Sequence, residues 1–270
     1  TMGAVGRNVV PRWHEFSTMG ATAATVADVV LQAQITDGPA PGDYLSAPAG
    51  TALLTPTRPA RIVACRTFRA DVDPVVEAAY EASLDALAAD GFDVDRVEWA
   101  DGGGIADWFV MASAELAQSL SAERDRWDEF EPSLTGLLRF GASVTATDYL
   151  AATQRRFEHG ARIDDAIGDD AVLVVPTLNV QDWGPEGPTP VDAGAVTGDP
   201  TIAVNTPDLN ATGHPAVSVP MGVGERGVPM GLQVVAPRWR DGLALGVAES
   251  LERSRPWPLV APGYEPFAVA

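Results

Sequence analysis

The sequence contains no lysine: Lys and Arg together number 18, all of them arginine, against 37 Asp and Glu, for a formal net charge of −19. Such a surface repels phosphate, which argues against nucleic acid and anionic membranes as partners. Dense carboxylates without lysine suit either a GC-rich genome or a salt-rich cytoplasm that screens the self-repulsion. A single cysteine, Cys65, excludes an internal disulfide and a thiolate metal cluster, and reads as a small buried hydrophobe. The three histidines, His14 in an irregular segment, His159 expected on a wet helix face beside Glu158, and His214, form no His-x-x-x-His and no His/carboxylate pair at ligand spacing, so no metal and no cofactor is expected. No apolar run approaches the roughly 20 residues of a membrane span. The first residues lack the charged and apolar regions of a signal peptide, so the chain reads as soluble and cytoplasmic. Repeats, low-complexity tracts and linkers are also absent. A chain of 270 residues ordinarily buries one sizeable core, and one α/β domain is expected over residues 1–270.

What is present is most ordered between Asn210 and Arg253. Ala216–Val219 and Gly231–Val235 are short, apolar and β-branched, and Gly222–Gly227 between them supplies a hairpin turn. Beyond Pro237, Leu243, Leu245, Val247, Ala248 and Leu251 recur at helical spacing with Glu249, Glu252 and Arg253 opposite, which predicts a helix covering the two strands.

Upstream, Thr1–Phe16 reads as irregular, and Ser17 or Thr18 is expected to cap a helix running through ATAATVADVVLQAQ. Arg61–Cys65 reads as a buried strand. Asp73-Pro74 starts a helix from Val75 to about Ala89 with Gly91 beyond its end, and Phe92–Trp99 alternates like a strand. Strand, capped helix, strand favours parallel pairing by a right-handed crossover. Gly102-Gly103-Gly104 lacks the GxGxxG spacing and reads as a turn. Ile105–Leu120 and Asp148–Ile167 are expected helices, with helical pieces over Glu123–Phe140. Ala171–Val175 is wholly apolar and ends at Pro176, as a strand buried on both faces would. Leu178–Thr206, rich in Gly, Pro and Asp, is expected to be a loop over a site.

Two gapless runs, Asn210-Ala211-Thr212-Gly213-His214-Pro215-Ala216-Val217-Ser218-Val219-Pro220 and Gly227-Val228-Pro229-Met230-Gly231-Leu232-Gln233-Val234-Val235, closely resemble the C-terminal signature of the amidase signature family. Gly20 and Thr25-Val26-Ala27-Asp28 resemble a helix that in that family follows the catalytic serines, with Ala24 where arginine is usual. The strand ending in Pro176-Thr177 resembles another family element. The resemblance implies an α/β fold with a mixed β-sheet core sandwiched by helices, incomplete at its N-terminal side. It also implies hydrolysis of a carboxamide by a serine, through an acyl-enzyme. Its partners would be a small-molecule amide substrate and an N-terminal amidase segment or chain, with a homo-oligomer left open.

The family uses two serines in Gly-Gly-Ser motifs and a lysine. This sequence has no Gly-Gly-Ser and no lysine, so no residue of it is assigned a catalytic role, and its missing chemistry is expected on an upstream segment. Four substrate-binding residues are expected. Tyr149 through Arg156 resembles a helix that points an arginine at a substrate carboxylate in relatives acting on amino-acid-like amides. Arg156 holds that position, where its fork suits bidentate binding, the competing reading being an ordinary surface ion pair. Thr177 at a strand exit, and Asn210 and Gly213 in the signature loop, stand where such sheets open onto ligands; an asparagine such as Asn210 more often than not just pins its own turn. Two other readings stay open: a non-catalytic amidase-like binding module, and an N-terminal-nucleophile hydrolase built on Thr1.

Overall fold

A computed structural model describes residues 1–8, 13, 16–68, 71–99, 104–182, 205–260 and 263. In chain order its elements are α1 (Val26–Thr36), β1 (Ile62–Cys65), α2 (Pro74–Ala89), β2 (Val94–Val97), α3 (Ile105–Ser119), a 3₁₀ helix (Ser121–Glu129), α4 (Pro132–Ser143), α5 (Ala146–Ile167), β3 (Val172–Pro176), α6 (Thr206–Thr212), β4 (Ala216–Val223), β5 (Pro229–Val235) and α7 (Asp241–Ser254).

The strands form one mixed sheet in the order β2-β1-β3-β5-β4. β1 runs parallel to β2 and β3, and β5 runs antiparallel to both β3 and β4. The expected βαβ unit is therefore β1-α2-β2, and the expected β-β-α unit is β4-β5-α7. β3 lies at the centre with all five residues buried, which its unbroken apolar run requires. Its Val172 and Val174 join a core with α2 and α7, while Leu173 and Val175 face a second core with Ile163 and Ile167 of α5 and Leu209 of α6. The sheet is thus sandwiched by helices, as the family resemblance implied. α3 packs on α5, α6 and α4, away from the sheet.

Local signals explain most boundaries. The Asp73 carboxylate accepts from Val75 N at 2.8 Å at the start of α2, and Thr145 and Asp148 form a capping box on α5. α1 starts later than expected: its cap is Thr25, whose hydroxyl accepts from Asp28 N at 3.1 Å, while Ser17 and Thr18 lie outside any helix. The reciprocal bond from Thr25 to the Asp28 carboxylate, 2.7 Å, gives Thr25 a partner that neither earlier residue has in sequence. Ahead of α1, Arg7 clamps Asp43 with two bonds of 2.9 Å, and this guanidinium holds the Asp43 carboxyl well below the usual carboxylate range. That pair fastens residues 1–8 against the 38–47 segment, with Gly6 N donating to Gly38 O and Ala47 N to Gly3 O.

Candidate functional site

The two faces of β4 and β5 differ. Toward α2 and α7 they send Val219, Met221, Met230, Leu232 and Val234 into the core. On the opposite face they carry Ala216, Ser218, Gly231 and Gln233, and the core with α5 and α6 takes only Val235 from them. Ala216 and Ser218 are exposed there. A cleft of about 560 Å³ lies over this stretch, lined by Asn210, His214, Ala216, Ser218 and Gln233 on one side and by residues near Thr1 and Gly20 on the other. A hollow of about 310 Å³ adjoins the ends of β3, β4 and β5, and another of about 260 Å³ lies between β4 and Trp257. Ser218 lines all three.

Thr177 lies one residue past β3, its N–H donating to Gly231 O at 2.8 Å. Its hydroxyl meets the Ser218 hydroxyl at 2.7 Å across β5. They can meet because Gly231 stands between them: a Cβ there would lie 2.5 Å from Ser218 Oγ and 2.7 Å from Thr177 Oγ1. Beneath this pair a buried amide network fixes the strand exits. Asn205 Nδ2 donates to Pro176 O at 2.8 Å and to Asn179 Oδ1 at 2.9 Å, and Thr67 Oγ1 donates to the same Asn179 oxygen at 3.2 Å. Gln233 Nε2 donates to Asn205 O at 3.4 Å. Buried amides that spend their bonds on one another in a low-dielectric setting rigidify the wall they support.

Of the four expected substrate residues, Thr177 lines the hollow and Asn210 lines the cleft. Asn210 does not pin its own turn: its Nδ2 donates to Phe16 O at 2.7 Å, tying α6 to the N-terminal segment. Gly213 ends α6 with φ +72, a left-handed cap that favours glycine, and its carbonyl accepts from Met2 N at 3.2 Å. The stretch expected as a signature loop is thus a short helix and its cap. Arg156 lies behind that helix, its Nε donating to Ala211 O and its guanidinium 5.1 Å from the Phe16 ring centroid, and it lines none of these three cavities.

His159 corrects the sequence reading most clearly. Expected on a wet helix face beside Glu158, it is 1% exposed, enclosed by Phe68 and Trp99 and 3.5 Å from the buried Asp208 carboxylate. Asp208 also accepts from Gly104 N at 2.5 Å, so these groups join α3, α5 and α6. His214 is buried in the cleft wall, its Nε2 3.0 Å from Asp164 and its Nδ1 2.8 Å from Thr212 Oγ1. Burial pushes its pKa below the usual histidine value against the opposing pull of Asp164. Thr212 does not line the cleft, so this hydroxyl, imidazole and carboxylate brace the turn into β4. Thr1 does line it, with its hydroxyl donating to Asp241 Oδ2 at 2.6 Å. His14, Gly102, Gly103 and residues 183–204 of the expected long loop lie outside the described residues. Sequence reasoning missed Ser218, Gln233, Asn179 and Asn205. Ser218 and Gln233 both stand inside the two signature runs, and Gln233 is a polar residue in an apolar strand; Asn179 and Asn205 carried no signal.

A family model described as Amidase matches residues 1–245. A glutamyl-tRNA(Gln) amidotransferase subunit from Nostoc sp. is 29% identical over 73% of this chain and 45% of its own length. The 6-aminohexanoate-cyclic-dimer hydrolase of Paenarthrobacter ureafaciens is 27% identical over 93% and 55%. Among solved structures, a bacterial aryl acylamidase of the amidase signature family superposes with TM-score 0.77 at 19% identity, over 95% of this chain and 57% of that one. A chain of the vestigial complex linked to the origins of an s-triazine catabolic enzyme gives 0.80 at 23%, over 94% and 57%. The chain spans about half the length of the curated relatives it matches. With the paired signature strands, the helical sandwich and the match over residues 1–245 all in agreement, this chain belongs to the amidase signature family.

Proposed function

We propose that this chain is the C-terminal part of a serine amidase that cleaves a carboxamide C–N bond through an acyl-enzyme, and that nucleophile and base lie outside it. The serine oxygen would attack the amide carbon, the amine would leave with a proton, and water would then release the acid. The observation that carries this reading is the open cleft whose wall is built from the signature residues Asn210, His214 and Ser218. Its support from chemistry is negative but firm: a chain without lysine cannot supply the family's base.

Within that reading this chain shapes the substrate pocket. Thr177 offers a hydroxyl at the end of β3, Asn210 and Gly213 set the α6 wall, and Arg156 acts through the Ala211 carbonyl to place that wall. β4 is an edge strand of the sheet among the described residues, and its outer side is where an N-terminal segment or chain would add strands. The test is to express the chain with an upstream segment carrying the lysine and Gly-Gly-Ser motifs, then to follow ammonia release and trap the acyl group with hydroxylamine. Ammonia with a hydroxamate product supports the proposal. Binding of amides without any turnover would favour a non-catalytic binding module.

A further inference from the structure

The hollow of about 310 Å³ has an unusual wall. Among the described residues lining it are the apolar Leu178, Val180, Pro220 and Pro229, together with Val219 and Met230, whose side chains turn into the core behind it, with Thr177, Gln181 and Ser218 as the polar side chains and no charged group. Gln181 is already engaged at both ends of its amide: Nε2 donates to the Asp73 carboxylate at 3.2 and 3.3 Å, and Oε1 accepts from Glu225 N at 2.7 Å. The nearby guanidinium of Arg226 is paired with Asp182.

The Thr177–Ser218 pair differs from Gln181. Two hydroxyls hold two O–H donors, and their mutual 2.7 Å bond uses one of them. One donor and several lone pairs remain for a ligand. Gly231 beneath them weakens a strand interior, a cost that strands usually bear where a ligand or another backbone comes close. Ser218 also lines the larger cleft, so a molecule held there can extend into the hollow past this pair.

We propose that the Thr177–Ser218 hydroxyl pair is a specificity determinant, receiving an uncharged, hydrogen-bonding end group of the amide substrate in the otherwise apolar hollow. The assignment rests on the amidase reading and refines it: the end group is a second amide or an alcohol, not a carboxylate or an ammonium. A carboxamide matches best, because its carbonyl accepts the remaining O–H while its N–H donates to a hydroxyl lone pair. Among the described residues that line the hollow no side chain is charged, so a carboxylate or an ammonium would sit there with no counter-ion in contact.

The test compares three amides of similar size on the complete enzyme: glutaramide, with a neutral second amide; glutaramic acid, with a carboxylate in its place; and hexanamide, with a methyl end. Hydrolysis is followed by ammonia release, and glutaramide binding is measured separately by calorimetry, which needs no turnover. Glutaramide is expected to have the highest kcat/KM. Ser218→Ala is expected to cost about 3- to 10-fold more for glutaramide than for hexanamide, the value of one uncharged hydrogen bond. Ser218→Thr, which keeps the hydroxyl, should recover much of that difference; a merely structural role would affect both substrates alike. Equal losses on the two, or a preference for glutaramic acid, would overturn the assignment and leave the amidase reading standing. Glutaramide binding that depends on Ser218 without hydrolysis would support the assignment and overturn that reading instead. No hydrolysis and no glutaramide binding would overturn both.

Discussion

Replacing Gly231 by alanine should separate stability from substrate recognition. The added Cβ meets two rotatable hydroxyls, at 2.5 Å and 2.7 Å, and the Thr177 Cβ at 3.2 Å, a contact that needs a shift of a few tenths of an ångström. The hydroxyls can swing away, so the main loss is their mutual bond, about 1 kcal/mol. Against it stands the reduced freedom of the unfolded chain, about 0.4–1 kcal/mol in favour of alanine. These nearly cancel, and the melting temperature is expected to move by less than about 4 °C, the effect of about 1 kcal/mol in a chain of this size. Glutaramide kcat/KM should nevertheless fall at least as far as with Ser218→Ala. Gly246→Ala is the contrasting control. In the middle of α7 alanine is the better helix former by about 1 kcal/mol, yet its Cβ would lie 2.2 Å from Thr57 O and 2.6 Å from Thr57 C. Those are backbone atoms that cannot rotate aside, so overpacking of about 1–3 kcal/mol or more should win and lower the melting temperature. Scanning calorimetry of both variants decides the matter. A Gly231→Ala melting point as low as that of Gly246→Ala would refute the rotation argument, and unchanged glutaramide kinetics would refute the hydroxyl pair as a site.

The His214 imidazole is pushed below its usual pKa by burial, so the unfolded chain binds more protons than the folded one between the two values. Its contribution is whole above the unfolded value of about 6.5 and is lost as pH falls through the folded value; urea titrations from pH 8 to pH 5 should show that slope, and His214→Gln should remove most of it. Arg156→Ala is expected to weaken turnover of glutaramide and glutaramic acid alike, because Arg156 holds the Ala211 carbonyl; a loss confined to the acid would restore it as a carboxylate clamp. The Cys65 thiol, fully buried with its pKa pushed up to about 12 by that burial, should resist an aromatic disulfide reagent until denaturant is added. Rapid labelling of the native protein would contradict the burial.

The sheet was legible because its strands announce themselves as apolar runs between Gly and Pro. Val172–Val175 must be buried on two faces, and the hairpin needs the turn that Gly227 makes at φ +80. The site was only partly legible, because what makes it a site is contact across strands. Nothing in the order of residues says that Thr177 and Ser218, 41 positions apart, share a bond over Gly231. His159 was misread for a related reason. Its helix presents charged Glu158 and Arg162 nearby, but Phe68 and Trp99, distant in sequence, close over the ring. The Thr25 cap was missed because Ser17 and Thr18 are equally good caps by type, and only the Asp28 partner distinguishes Thr25.

The most direct test of the central claim is ammonia release from glutaramide by this 270-residue chain alone and by the same chain supplied with an upstream segment bearing the lysine and serine motifs. With nucleophile and base outside the chain, no turnover is expected from the chain alone, and hydrolysis is expected once the segment is present. Turnover by the chain alone, abolished by changing Ser218 or any other of its own serines, would contradict that claim.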